Sequence, residues 1–420
     1  MLESIHFKGY TLIMYAKRKN IVNSVGYLLK SFPSVVLLGA RQVGKSTLLR
    51  RCLPEADYFD LEVESDWNRV SSDPHLLFNE LKGPFVFDEA QLSPKLFKAL
   101  RVEIDKDRKT NGRFLLSGSS SPELLKNITE TLAGRCAILE IGTFDWSESG
   151  QKEQSKFFEN LASIDDLLKL KPIHTHSELL DYCLYGGYPD PFLKRSDKNY
   201  YDIWYKDYIK SYVERDIRAL FPTLNLDAYK RFIKMMATAT GEIINASNFA
   251  RSLDVSQPTV KKYLEIIEGT FLWRKLAPYD KVLKKRVVKM PRGHLRDTGL
   301  TNYFLNIYST SDLKAHHLFG RIWEGFITEQ ILKNLENSLI RHKAYFYRTN
   351  NQAEIDLILE GRFGIIPIEI KSGSTTSKGQ LKTLSNFIKE NKCPFGIVIN
   401  NGTEIFKISD SIIQIPAIFI

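Results

Sequence analysis

The chain has 420 residues, 43% hydrophobic and 26% charged, with a formal net charge of +10. That length exceeds what one hydrophobic core serves, so two or three domains are expected, and the balance of residue types is that of a soluble globular protein, not a disordered or fibrous one. No apolar stretch reaches membrane-spanning length, and Met1-Leu2-Glu3-Ser4-Ile5-His6 shows no secretory signal, so the expectation is a cytoplasmic protein with no membrane partner.

Cys52, Cys136, Cys183 and Cys393 are scattered without a C-x-x-C pair. They read as buried thiols in a reducing compartment, with neither a disulfide framework nor a zinc site. The positive charge is compatible with a polyanionic partner such as DNA.

Residues 1–150 alternate strand-like and helical runs, the pattern of a parallel α/β sheet. A helical stretch from Asn20 to Ser31 precedes the apolar strand Val35-Val36-Leu37-Leu38. Gly39-Ala40-Arg41-Gln42-Val43-Gly44-Lys45-Ser46 then follows the phosphate-binding pattern G-x4-G-K-[ST], and Thr47 begins a helix. In that context backbone N–H groups and the helix N-terminus cradle phosphates, Lys45 reaches the β- and γ-phosphates, and Ser46 ligates Mg²⁺. The predicted cofactors are therefore ATP and Mg²⁺.

Pro84-Phe85-Val86-Phe87-Asp88-Glu89 is an apolar strand ending in two carboxylates. At the carboxyl edge of a parallel sheet, Asp88 would hold Mg²⁺ and Glu89 would activate the attacking water. A third strand, Arg113-Phe114-Leu115-Leu116, runs into Ser117-Gly118-Ser119-Ser120-Ser121. Ser117 or Ser119 there would contact the γ-phosphate or the water, or the segment is a plain Gly/Ser turn. Arg135, in Leu132-Ala133-Gly134-Arg135, is a candidate arginine finger for its own subunit or a neighbour's, or else a surface ion-pairing residue. The sequence leaves an oligomer open.

Residues 146–175 turn polar, Ser147-Glu148-Ser149-Gly150-Gln151-Lys152-Glu153 reading as a hinge. The middle domain, residues 151–310, is mostly helical, with Ile203, Tyr205, Tyr208, Ile209 and Tyr212 at helical spacing. From Ile244 to Leu264 it reads as a helix-turn-helix. Asn245 or Ser247 caps the first helix, Asp254-Val255-Ser256 turns, and Pro258 sits in the first turn of the second. Gln257, Thr259, Lys261 and Lys262 are the donors that helix would bring to a duplex, and Phe271–Leu276 with Lys281, Lys284, Lys285, Arg286 and Lys289 suits a wing. The other reading is a winged helix that only packs beside the ATPase.

Residues 311–420 return to α/β, with strands expected at Ala344–Tyr347, Ile355–Leu359, Ile365–Ile370 and Phe395–Ile399. Glu369 and Lys371, two apart, leave one face of a strand. Asp356 and Glu369 would converge on a further Mg²⁺ or Mn²⁺, with Glu324 as an outer or second-metal ligand, and Lys371 would orient or deprotonate the water of phosphodiester hydrolysis or offset phosphate charge. A solvated strand face would look the same.

Taken together these pieces resemble the bacterial and archaeal AAA-type ATPases carrying the C-terminal domain of unknown function DUF4143. The resemblance is carried by Gly39–Ser46, Asp88-Glu89, Leu116-Ser117-Gly118-Ser119, Leu132-Ala133-Gly134-Arg135 and Tyr185-Gly186-Gly187-Tyr188-Pro189. It continues in Tyr212-Val213-Glu214-Arg215-Asp216-Ile217, Arg296-Asp297-Thr298-Gly299-Leu300 and Ile368-Glu369-Ile370-Lys371-Ser372. It implies an ATPase core, a helical and winged-helix middle, and a C-terminal fold similar to PD-(D/E)xK nucleases. Lys289-Met290-Pro291-Arg292-Gly293-His294-Leu295 departs from the family's Pro-Lys-aromatic lead into Asp-Thr-Gly-Leu. Gly186-Gly187-Tyr188-Pro189 is expected to form a tight turn, while Arg215 and Asp216 either pair between domains or sense nucleotide.

Overall fold

The computed structural model describes residues 18–118, 128, 130–279, 290–349, 353–375 and 381–420. Ser119 and the basic residues Lys281, Lys284, Lys285, Arg286 and Lys289 lie outside the described residues.

The first sheet is built from β1 (Ser34–Leu38), β2 (Asp57–Asp60), β3 (Phe85–Asp88), β4 (Phe114–Gly118) and β5 (Cys136–Glu140). All four pairings are parallel, and the order is β2-β3-β4-β1-β5. Every residue of β1, β3 and β4 is buried, which explains why they read as unbroken apolar runs and not as alternating ones. Helix α1 (Lys19–Ser31) lays Ile21, Val25, Leu28 and Leu29 on this core, and α2 (Lys45–Cys52) follows β1.

The helices of the middle region include α3 (His176–Tyr185), α4 (Lys198–Ser211), α5 (Ala246–Leu253) and α6 (Gln257–Gly269), with Leu226–Thr238 between α4 and α5. A π-helical segment, Tyr212–Ile217, continues α4. The buried face of α4 is Tyr201, Trp204, Tyr205 and Tyr208, whereas the expected Ile203 is 58% exposed. Trp204 and Tyr208 stack with ring centroids 5.1 Å apart, so aromatic spacing sets the face and a single β-branched residue does not. The expected hinge also differs. Ser147 and Glu148 are buried in a short helix, Trp146–Gly150, whose capping box joins Asp145 to Glu148.

The second sheet contains β6 (Trp273–Pro278), β7 (Arg292–Leu295), β8 (His342–Arg348), β9 (Glu354–Gly361), β10 (Gly364–Ile370), β11 (Gly396–Asn400), β12 (Phe406–Ser409) and β13 (Ile412–Pro416). Its order is β12-β13-β11-β10-β9-β8-β6-β7. The strand expected in a wing, β6, pairs antiparallel with β7 and in parallel with β8, so it also carries the sheet across the expected 310/311 boundary. Helices α7 (Thr298–Leu305) and α8 (Phe319–Asn337) complete the unit, and α8 buries residues on all sides. Among the described residues no helix is long and apolar enough to cross a membrane.

Candidate nucleotide site and the C-terminal acidic cluster

The loop between β1 and α2 has the backbone its sequence demands. Gly44, the residue before α2, has φ +91°, and Gln42 also lies at positive φ, 62°. Gly39 packs so closely on β5's exit that a Cβ there would lie 2.2 Å from the Ile141 carbonyl oxygen. Lys45 is buried, its ammonium donating to the carbonyls of Gly39 at 3.1 Å and Ala40 at 3.0 Å. Burial pushes its pKa down, opposed by Glu89 and Asp88. Ser46 and Thr47 are exposed at the first turn of α2.

Because β4 lies between β1 and β3, Ser117 sits beside Asp88. The Ser117 hydroxyl donates to Asp88 Oδ1 in a very short contact, and the Glu89 N–H donates to Ser117 Oγ at 3.2 Å. Tyr58, from β2, donates to Asp88 Oδ2 at 2.6 Å. Asp88 is thereby oriented at the sheet's carboxyl edge, while Glu89 lines a cavity of about 450 Å³ together with Arg41 to Thr47. The hard oxygens of Ser46 and Asp88, the Lys45 ammonium and the N–H groups at the start of α2 suit a nucleoside triphosphate with Mg²⁺.

The opposite wall of that cavity comes from the middle region: Tyr208, Tyr212, Arg215 and Asp216. Asp216 Oδ2 stands 2.7 Å from Arg41 Nε, and Arg215 Nη2 stands 2.8 Å from Glu62. The open choice for Arg215 and Asp216 is thus met by pairing across the cavity mouth. Arg18 is a further contributor that sequence reasoning missed. Buried and bidentate to Glu148, it donates from Nη1 to the Val43 carbonyl at 2.8 Å and so braces the loop. Only its partners, Val43 25 positions away and Glu148 130 away, distinguish it from any other basic residue.

Arg135 is placed elsewhere. It sits at the start of β5, bidentate to Asp105 at 2.9 and 2.8 Å, and its hydrogen bonds hold Asp105 down to a pKa of about 2. Nucleotide binds at the opposite, carboxyl edge of a parallel sheet, one strand length away, so the own-subunit arginine finger is corrected to a surface ion pair.

In the C-terminal unit the expected side chains do converge. Asp356 on β9 accepts from the Ile370 N–H of β10 at 2.9 Å, and Lys371 Nζ lies 2.5 Å from Glu369 Oε1. Glu324 comes from α8. Burial, then Asp356, raises Glu324 to about 8 and Glu369 to about 7. A residue the sequence reading did not place stands among them. Arg292 on β7 contacts Glu324 at 2.8 Å, Glu354 at 2.7 Å and Asp356 at 3.3 Å. The expected metal set thus forms a carboxylate cluster closed on a guanidinium, and among the described residues no group of three or more His, Cys, Asp or Glu side chains is arranged to hold an ion.

Residues 31–150 match an AAA domain, 176–311 a domain of unknown function (DUF8612), and 319–418 a domain of unknown function (DUF4143). Uncharacterized proteins of Mycobacterium tuberculosis and Mycobacterium bovis are each 31% identical over 407 residues, covering 96% of this chain and 84% of theirs. The chain belongs to this family of AAA-domain, DUF4143-bearing proteins. Among solved structures, a Walker-type ATPase of Pyrococcus abyssi aligns with 69% of this chain and 96% of its own, at 15% identity and a TM-score of 0.46.

Within this AAA–DUF4143 chain the paired helices lie where expected. Asn245 caps α5, Asp254 turns in the left-handed region, and Ser256 caps α6. Gln257, Lys261 and Lys262 are exposed on α6. Thr259 is partly committed, its hydroxyl 2.8 Å from Ser256 Oγ, and the Lys262 ammonium lies 5.9 Å from the Phe221 ring centroid.

Proposed function

We propose that the protein is an Mg²⁺-dependent ATPase whose nucleotide state governs engagement of nucleic acid by the middle region. The observation that carries this reading is the Arg41–Asp216 contact of 2.7 Å, which ties a P-loop residue to the segment continuing α4. A nucleotide's phosphates compete with Asp216 for Arg41, so binding changes the tie between the ATPase sheet and the middle helices.

In this reading Lys45 leaves the Gly39 and Ala40 carbonyls for the β- and γ-phosphates. Ser46 and Asp88 would hold Mg²⁺, which would supply neutralisation of the charge that develops on the phosphates. Glu89 takes the proton of the attacking water as the γ-phosphoryl bond breaks, giving ADP and phosphate. Ser117, whose hydroxyl donates to Asp88 and accepts from the Glu89 N–H, would position these two acids, where contact with the γ-phosphate or the water was expected.

ATP binding and turnover test these roles. Lys45→Ala should lose measurable nucleotide binding, while Glu89→Gln should bind ATP normally and hydrolyse it roughly 10²–10⁴-fold more slowly. Wild-type turnover in Glu89→Gln would remove Glu89 as general base. For the nucleic-acid arm, replacing Lys261 and Lys262 by Ala should weaken duplex binding and lower the salt slope by about 2. An unchanged slope would make α6 a packing helix.

The DUF4143 unit is read here as a binding or scaffold domain, with cleavage as the second reading, favoured by the approach of Lys371 to Glu369 beside Asp356. Incubation with single-stranded, duplex and branched DNA in Mg²⁺ or Mn²⁺, with and without ATP, separates the two. Cleavage abolished by Lys371→Ala would establish a nuclease.

A further inference from the structure

Arg292 is not a surface residue that happens to touch acids. Its side chain is 8% exposed, and all three guanidinium nitrogens are engaged. Nε donates to the Gly241 carbonyl at 2.8 Å, Nη2 meets Glu324, and Nη1 meets both Glu354 and Asp356. Those acids come from α8 and β9, two elements that converge only in the folded chain.

The carboxylates that hold Arg292 are those a divalent ion would use. Mg²⁺ or Mn²⁺ drawing ligands from Asp356 and Glu324, at about 2 Å, would compete with the guanidinium for these carboxylates. A fixed guanidinium on the same two carboxylates repels a second cation within a few ångströms. The arginine is also anchored from behind. β7 pairs with β6, Arg292 opposite Leu276, and Ile243 bridges to Arg292 from the other side. The Ile244 N–H donates to the Pro291 carbonyl at 2.8 Å, and the next residue, Asn245, caps α5. The strand carrying the guanidinium is thus joined directly to the start of the paired helices.

We propose that Arg292 is the resident cation of the DUF4143 cluster. It keeps the cleft metal-free for as long as it holds the Glu324, Glu354 and Asp356 carboxylates. This goes beyond the ATPase reading and stands whether or not Glu89 is the general base. It also assigns a place to the stretch that departs from the family's lead-in, since Arg292 is the residue that fills the cluster.

The test is a Mn²⁺ titration of the full-length, nucleotide-free protein, with free Mn²⁺ followed by electron paramagnetic resonance. Wild type and Asp356→Asn should bind the same number of Mn²⁺ ions. Arg292→Gln should bind one more, and Arg292→Gln with Asp356→Asn should lose it again. The proposal is overturned if wild type holds a Mn²⁺ that Asp356→Asn removes, because the ion then shares the cluster with Arg292. It is equally overturned if Arg292→Gln, folded by circular dichroism, takes up no additional ion. Should Arg292→Gln fail to fold, Arg292→Met, which keeps the apolar stem and removes the charge, takes its place, and its failure to take up an additional ion overturns the proposal in the same way.

Discussion

Asp216 faces Arg41 at 2.7 Å and Arg215 at 3.9 Å, yet neither of its oxygens has an aligned hydrogen-bond donor. Burial raises its pKa to about 6 against the pull of those arginines, with Glu89 and Glu62 adding to the rise. A carboxyl group whose folded pKa lies above its unfolded value binds its proton more tightly when folded. Its contribution to stability is therefore complete below about pH 4 and is lost as pH rises through about 6. The group is partly solvated, so we take the loss as on the order of 1 kcal/mol, below the figure the full shift implies. Asp216→Asn removes the titration. The difference in melting temperature between wild type and variant should change between pH 4 and pH 6 in favour of Asn, and stay flat above pH 7. A constant difference across that range would show that Asp216 does not titrate there. Arg41 gains a neutral neighbour in the same window, so ADP affinity should rise in wild type as pH falls and should not in Asp216→Asn.

Helix ends rather than helix bodies join the family's scattered motifs. Gly186 closes α3 at φ +72°, where an added Cβ would meet Asp297 Oδ1 at 2.2 Å, and Asp297 caps α7. One carboxylate accepts from the Gly187 N–H at 2.7 Å, the Leu300 N–H at 3.1 Å and the Tyr205 hydroxyl at 2.9 Å. Asp297→Ala strands two buried N–H groups and a buried hydroxyl, and should cost about 2–4 kcal/mol in chemical denaturation. A loss under 1 kcal/mol would mean that water or a neighbour takes over. The same contrast explains what could be read in advance. Strand, loop and helix around Gly39–Ser46 are consecutive in the chain, as are the end of β3 and its two acids, so local pattern sufficed. Gly186's positive φ was legible for that reason too. Arg135 carried a usable signal that went unread: it stands before an apolar strand, at the edge of a parallel sheet where nucleotide does not bind. Arg292 carried none. Its partners lie 32 and 64 positions away, and only the folded sheet brings them together. Nor does any local pattern of Trp273–Pro278 reveal that this strand continues into the C-terminal sheet.

The ATPase sheet and the DUF4143 unit meet in a buried ionic knot, and the behaviour of the whole chain should follow from it. Glu140 ends β5; Arg274 comes from β6, His294 and Arg296 from β7 and its exit, Glu329 and Glu336 from α8. Arg296 reaches Glu140 at 2.5 Å and Glu329 at 2.9 Å, while Arg274 reaches Glu329 at 3.0 Å and Glu336 at 3.1 Å. Glu329 is the shared acid, and His294 also contacts it at 3.3 Å. Burial alone would raise the Glu329 pKa, but Arg274 and Arg296 outweigh it and hold the group well below its ordinary value. Breaking a buried ion network by removing one partner costs about 3–5 kcal/mol, because the charges left behind are neither solvated nor paired. Glu329→Gln keeps the shape and removes the charge, leaving Arg274 and Arg296 with mutual repulsion that Glu140 and Glu336 only partly offset. The sign with pH follows from the depressed pKa. The stabilisation is fully present above the unfolded carboxylate value, about 4.3, and is lost as pH falls through the folded one. Wild type should therefore exceed Glu329→Gln by several kcal/mol at pH 7 in urea unfolding, and the gap should narrow only in strong acid. Because Glu140 belongs to the ATPase sheet, tryptophan fluorescence, ATP turnover and far-ultraviolet circular dichroism should all shift together in the variant. If the ATPase melts at its wild-type urea concentration while the C-terminal unit alone is weakened, the knot stabilises one unit and does not transmit between them.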